Sequence, residues 1–423
     1  MKITIPKNRK ELNRHLNDPL FKNSYFLMTS TVVGSILGFV FWLLVARCYT
    51  PHDVGLATAL ISAANLLVVF SLLGFGFGVA RFLPKEENKQ GMINSCLTIT
   101  FLFSIILSAI FILGIDTWSP ALLFVRENII FIIVFIVIVF TNSLIRLQRS
   151  VFMALRTAEF SFVQNTILSI LKLIFVLCLV GFGVFGIISS WAIAACIALV
   201  ISIFVLTPKR VHSYLPIPTV KKRIVKDMFH ISFGNYIAGN FGAIPSSVLP
   251  LMIINVLSPE RNAYFFMALA ISNIMITIPV AVNSSLFVEG SYAPEQFRNN
   301  VIKSIKFTFL LIIPMILSIF IFGDTLLLLF GETYAKNGFY VLCVLVLSVI
   351  PFTINKVYIT IKNIQLKVKP IIYLNALISI LTIGLSYVLM IEIGLIGVAI
   401  GYTLSQGIGA AVVFVSVRKE GWI

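Results

Sequence analysis

The chain has 423 residues, 59% of them hydrophobic and only 11% charged, with a mean hydropathy of +1.03, where an ordinary soluble domain carries about 25% charged residues. A water-soluble fold has too little interior to hide so much apolar surface, and runs of about 20 apolar residues, enough to cross a ~30 Å hydrocarbon layer as helix, recur along the whole length. Thirty-two Lys and Arg against 16 Asp and Glu give a net charge of +16, and the placement of those charges excludes a nucleic-acid footprint, as shown below.

Residues 1–22 are polar and basic. The apolar run after them is longer than a signal-peptide core and has no small-residue cleavage site, so it is expected to be a retained first helix. Twelve spans are expected in all, the first six at 25–47, 54–83, 93–115, 128–147, 162–181 and 185–206. The second six lie at 231–256, 263–286, 301–322, 340–357, 371–390 and 394–415. Between the sets, a stretch with Pro208, Pro216 and Pro218 and six basic residues reads as a linker. The expected organisation is an N-terminal six-helix bundle over 1–206, a basic cytoplasmic linker over 207–229 and a C-terminal six-helix bundle over 230–423.

Cytoplasmic loops collect Lys and Arg. With the N-terminus inside, 27 of the 32 basic residues fall in inner segments, four fall outside (Arg47, Arg126, Arg261, Lys336), and Lys172 lies within a span. Both termini are therefore expected in the cytoplasm, and the positive charge reads as topology and attraction to anionic lipid.

The polar elbow Thr50-Pro51-His52-Asp53 between the first two spans is echoed by Ser258-Pro259-Glu260-Arg261, 208 residues later. At the same offset Asp116-Thr117 falls on Asp324-Thr325. Asn165, Ser169 and Leu171 fall on Asn375, Ser379 and Leu381 at an offset of 210, and Gly183 and Gly186 fall on Gly394 and Gly397 at 211. Preserved order and six spans per half predict a parallel repeat about an axis along the membrane normal. The expected class is an all-α polytopic membrane protein with two such bundles around a central cleft.

Ionisable groups inside a membrane are costly and mark function by default. Lys172 sits midway along the fifth span, four and three residues from Asn165 and Ser169 by steps that put all three on one helical face. That stripe reads either as the wall of a water-filled cavity or as packing polarity with a snorkelling lysine. Arg146, Arg149 and Arg156 share one side if the fourth helix continues through them. They would make either a phosphate-collecting ladder or ordinary positive-inside anchors. Arg47 is an anchor or a ligand on a side where basic residues are scarce. Asn65, Asn273, Asn235, Asn240 and Asn255 are candidates for the cleft lining. Pro245, Pro250, Pro279, Pro314 and Pro351 lie inside the expected spans of the second half, as hinges or as static kinks.

The middles of the first and seventh spans carry no Asp or Glu, which a carrier of organic cations or a buried-carboxylate proton relay would be expected to use. The four histidines are scattered, and no Walker A, Gly-x-Ser-x-Gly or metal-ligand spacing occurs. Neither an enzyme, a cofactor, a metal nor a disulfide is expected, the five cysteines being lone residues without paired spacing.

Ala46-Arg47, Pro51 and Gly55 resemble the first outer loop of the polysaccharide and oligosaccharide-lipid flippases. Leu73-Gly74 and Gly76, Leu147-Gln148 through Ala154, Arg156 and Phe160, and the Leu327 to Gly331 run followed by Tyr334 resemble that family too. The family sits in the larger superfamily of multidrug, oligosaccharidyl-lipid and polysaccharide exporters, whose members have two six-helix bundles facing a cleft. The resemblance implies translocation of a polyprenyl-phosphate- or pyrophosphate-linked oligosaccharide from the inner to the outer leaflet of the plasma membrane by alternating access. It also implies membrane lipids and the glycosyltransferases or polymerase of the same pathway as partners. Asn23-Ser24-Tyr25 lacks the charged pair that peptidoglycan-precursor flippases carry there, which argues against that substrate. The competing expectations are an ion-coupled drug exporter of the sister family and a scaffold for glycosyltransferases.

Overall fold

The structure is a computed structural model that describes residues 19–212, 214–221, 236, 241–292 and 297–419. The basic residues of 1–18, Lys222, Arg223, Lys226, His15, His230, Asn235 and Asn240 lie outside the described residues, as does the first part of the expected seventh span. The long helices are α1 (Pro19–Cys48), α2 (Pro51–Ser71), α3 (Phe75–Phe82), α4 (Lys89–Leu113), α5 (Ile129–Ala154), α6 (Ala158–Cys178) and α7 (Gly183–Ile201). They continue with α8 (Ile244–Val256), α9 (Pro259–Tyr292), α10 (Phe297–Leu328), α11 (Glu332–Leu347), α12 (Val349–Ile364), α13 (Val368–Ile393) and α14 (Leu395–Lys419).

Among the described residues, eleven helical stretches are long and apolar enough to cross a membrane, and the shorter α8 stands at the place of the seventh expected span. No described residue is in a strand. The backbone hydrogen bonds of each segment are thus closed within it, as a hydrocarbon solvent demands. The chain is a multi-pass membrane protein.

The described residues group into two compact units. One takes those within Met1–Phe41, Leu67–Leu113 and Asn128–Phe233; the other takes Trp42–Leu66, Gly114–Glu127 and those within Gly234–Ile423. In the first unit, Val79 of α3, Met92 and Ile93 of α4, Leu147 and Val151 of α5 and Ala194 and Ala198 of α7 form one buried core. The alanines let α7 approach α5 and α6 closely, which is how helices gain packing energy in lipid. The expected linker is stitched to this unit: Asn94 Nδ2 donates to Leu215 O at 2.8 Å, and Ser95 Oγ accepts from Lys221 N at 3.1 Å.

In the second unit the elbow and its echo are built alike. Pro51 and Pro259 open α2 and α9 at a position where a missing N–H costs nothing. The preceding Thr50 and Ser258 accept from Asp53 N and Arg261 N at 3.2 and 3.3 Å, as N-caps do. The two turns touch: His52 Nδ1 and Glu260 Oε1 are 2.8 Å apart, a pair of equivalent residues at the 208-residue offset. Asn262 Nδ2 donates to Gly55 O at 2.8 Å and to Thr58 Oγ1 at 3.0 Å.

The repeat is visible in backbone geometry too. Thr157 N donates to Phe152 O at 2.9 Å around Arg156 in the left-handed region (φ 55°). Lys367 N does the same to Lys362 O at 2.9 Å around Leu366 (φ 56°), 210 residues on. Both are Schellman-type ends of a helix. Gly183 and Gly394, 211 apart, have φ 54° and 68°.

Four expectations need correction. The second span is not continuous: Leu73 (φ 49°) and Gly74 (φ 82°) break it into α2 and α3, because two left-handed residues cannot continue a right-handed helix. Arg156 lies beyond the end of α5, so the helix does not carry a three-arginine ladder. Pro245 lies in the first turn of α8, where proline is tolerated; Pro351, in the first turn of α12, stays inside the apolar stretch Glu332–Ile364, and Pro250, Pro279 and Pro314 are interior to their helices. The Asp116 and Asp324 echoes differ in setting: α4 ends at Leu113 and the chain turns through short helical segments, whereas Asp324 is still inside α10.

Candidate functional site

The site is assembled in the first unit by α1, α5, α6 and α7. Asn165, Ser169 and Lys172 do share one face of α6, as the spacing requires. Lys172 Nζ lies 4.2 Å from the Trp191 ring centroid on α7 and 5.4 Å from that of Phe41 on α1. The two rings pack against each other at 6.1 Å, nearly edge-on. An ammonium over aromatic faces is stabilised by about 0.5–2 kcal/mol. Among the described residues no carboxylate pairs with Lys172.

One and two turns toward the start of α6, the polar stripe meets α5. Arg149 Nη2 donates to Asn165 Oδ1 at 2.7 Å, while its Nε is buried without an acceptor among the described residues. Asn165 Nδ2 reaches Ser30 O on α1 at 3.5 Å. Gly34 is what lets α1 come so close, since a Cβ there would lie 2.6 Å from Asn165 Nδ2. Arg146, one turn before Arg149, is exposed, and Ser169 is buried. The result is a row of donors: a guanidinium, an amide and an ammonium, with two aromatic rings at its far end. Donors without carboxylates suit an oxyanion, and the fork of Arg149 suits two of its oxygens at once.

The second copy of the stripe is closed. Ser379 Oγ donates to Phe241 O. Thr382, the counterpart of Lys172, is fully buried, with its Oγ1 2.7 Å from Ile378 O and 2.6 Å from Ser405 Oγ. The charge is thus confined to the N-terminal copy.

The remaining candidates fall elsewhere. Arg47 donates Nε to Leu329 O at 2.6 Å and Nη2 to Leu328 O at 2.7 Å, tying down the last carbonyls of α10. A cation at the C-terminal end of a helix also meets the negative end of its dipole. Two of the resembling motifs therefore meet in one structural joint, in which Leu327, Phe330 and Tyr334 are buried. Arg156 is exposed in its turn, apart from α5 and α6. Asn255 Nδ2 donates to Ser119 Oγ at 2.9 Å and its Oδ1 accepts from Ala121 N at 3.0 Å, which binds a turn. Among the described residues no three His, Cys, Asp or Glu side chains cluster as metal ligands.

Sequence reasoning missed Phe41 and Trp191. For Trp191 a signal existed: tryptophan favours the membrane interface, and this one stands mid-span beside a charged helix. Phe41 is one of 37 phenylalanines and carried no signal. Lys362 was also missed. It is fully buried in α12, 5.0 Å from the Tyr358 ring and 3.3 Å from Gln365 Oε1.

Comparison with known proteins follows from this geometry. No curated protein matches the chain by sequence. Among solved structures, the fold is similar to that of a multidrug resistance MATE family transporter of the MOP superfamily in an inward-facing conformation, with 16% identity over 92% of this chain and 94% of that one and a TM-score of 0.71. It is also similar to the lipid II flippase MurJ in an inward closed conformation, with 15% identity, 93% and 87% coverage and a TM-score of 0.71. A MOP superfamily transporter from Pyrococcus furiosus, described as having a binding pocket of reverse polarity, gives 14% identity, 97% and 95% coverage and a TM-score of 0.60. These likenesses establish the fold. The model of the family described as "Polysaccharide biosynthesis protein" matches residues 20–278, more than half of the sequence, and the chain belongs to that family.

Proposed function

We propose that the protein is a flippase that carries a polyprenyl-phosphate- or pyrophosphate-linked oligosaccharide from the cytoplasmic to the outer leaflet by alternating access, for surface polysaccharide synthesis. The observation that carries this reading is Lys172, an intramembrane cation held by Phe41 and Trp191 with no carboxylate partner among the described residues, on the same face of α6 as Asn165, which bonds Arg149 of α5. Such a stripe attracts a lipid-borne phosphate and repels an organic cation, whose carrier would need acids instead. Membership of a polysaccharide biosynthesis family supports the same substrate class.

The distribution of Lys and Arg supports cytoplasmic termini, the substrate class supports a plasma-membrane location, and enzymes that build or polymerise the glycan would be the partners on either side. The test replaces Lys172 by Gln, Ala or Arg in cells that depend on this protein for surface glycan. Gln and Ala should abolish display of the glycan with the protein still at wild-type level in the membrane, and Arg should retain part of it. Normal display in the Gln variant would overturn the assignment, and protection against cationic dyes without any effect on glycan would favour an ion-coupled exporter.

A further inference from the structure

In the second unit, the first turn of α9, the first half of α11 and the turn between α13 and α14 enclose a cavity of about 330 Å³. The proposed function uses none of it. Arg261 and Lys336 border it, two of the four basic residues that the distribution of Lys and Arg leads one to expect on the outer side. Neither is in an ion pair among the described residues, although Glu332 stands one turn before Lys336. The Tyr340 side chain adds a polar group. The turn residue Gly394 (φ 68°) delivers the start of α14 into the same wall, where the amides of Leu395 and Ile396 have no acceptor within the helix and the helix dipole favours an anion.

The other wall is apolar and open. Ile393 is 51% exposed, Ile396 38% and Tyr340 66%. In a chain that spans a bilayer such faces meet lipid, and tyrosine marks the level of the headgroups. A cationic cavity opening beside lipid-facing isoleucines matches a molecule whose anion and hydrocarbon lie a few ångströms apart.

We infer that this cavity binds the phosphate of an anionic phospholipid in the outer leaflet. Arg261 supplies a two-pronged donor, Lys336 a point charge and the α14 amides the remaining bonds, while the first methylenes of the chains lie on Ile393 and Ile396. This site is separate from the Lys172 stripe and shares no residue with it.

The experiment uses the full-length protein in detergent micelles doped with phosphatidylglycerol or phosphatidylcholine, and counts retained lipid by native mass spectrometry. Wild type should retain phosphatidylglycerol in preference to phosphatidylcholine. The double variant Arg261→Gln/Lys336→Gln should lose roughly tenfold or more of that affinity, as expected for two interfacial cations, whereas Arg261→Lys/Lys336→Arg should keep most of it. Ile396→Trp, which fills the cavity and leaves both charges, should lose it as well, so a poorly folding charge variant would not leave the question open. Equal retention by wild type, the Gln variant and the Trp variant would overturn the site. Inorganic phosphate binding as tightly as the lipid would make it a free-anion site and overturn the lipid assignment.

Discussion

Arg149 Nη2 and Asn165 Oδ1 are 2.7 Å apart, a bond that joins α5 to α6 and leaves the arginine Nε buried without an acceptor among the described residues. A hydrogen bond to a charged group nets about 1.5–3 kcal/mol, and losing one partner leaves the other to bear its desolvation. Asn165→Ala is therefore expected to lower both the thermal midpoint and glycan export. Asn165→Asp separates the two effects: it pairs Arg149 more strongly and should hold the midpoint, but it cancels the local positive charge and should still lower export. Equal export by Asn165→Asp and wild type would show that the charge of this stripe does not serve the substrate.

Gly34 tests whether the position of Asn165, and not merely its presence, matters. A methyl group at residue 34 would stand 2.6 Å from Asn165 Nδ2, the far end of a flexible side chain that can swing away. Gly34→Ala should lower the thermal midpoint by no more than Asn165→Ala does, since the amide leaves Arg149 and Ser30, and should reduce export with it. A double variant with Asn165→Ala should be no worse than Asn165→Ala alone.

Gly55 is the contrasting case. A Cβ there would lie 1.7 Å from Pro259 O, a backbone atom at the start of α9. The two turns cannot part without breaking the Asn262 bonds to Gly55 O and Thr58 Oγ1. Gly55→Ala should destabilise by about 1–3 kcal/mol or more, as overpacking does, and the measure is the fraction of monodisperse protein surviving a heat step.

Arg47 should behave as a joint and not as a ligand. Arg47→Gln removes the fork that holds Leu328 O and Leu329 O, at a cost of about 1 kcal/mol for a helix-end cation. Export per folded molecule should stay near wild type. A loss of export with an unchanged thermal midpoint would return Arg47 to the substrate path.

Much of the architecture was legible because a bilayer imposes a length and a composition on every crossing. The spans, the parallel repeat and the Asn165, Ser169, Lys172 face all follow from apolar run lengths and from the 3.6-residue period. Offsets of 208 to 211 residues between polar turns reappear as matched turns, as with Arg156 and Leu366. The break at Leu73-Gly74 was not legible, because the glycines of the Gly74-Phe-Gly76-Phe-Gly78 run fit close helix packing as well as they fit a left-handed turn. The end of α5 before Arg156 was hidden for a related reason: spacing places residues on one face only while the helix lasts.

What the sequence by itself determined is therefore the class of protein, the places of its apolar helices, its internal repeat and the presence of one charge within an apolar run. Each depends on local chemistry: hydrocarbon requires a closed helix, and a polar residue recurs on a face at fixed spacing. Only the tertiary structure decided what that charge touches, because the partners of Lys172 come from α1 and α7, more than 100 residues and 19 residues away, through contacts that no local pattern encodes. It likewise decided what Arg47 touches, since the carbonyls it holds lie 281 and 282 residues further along the chain.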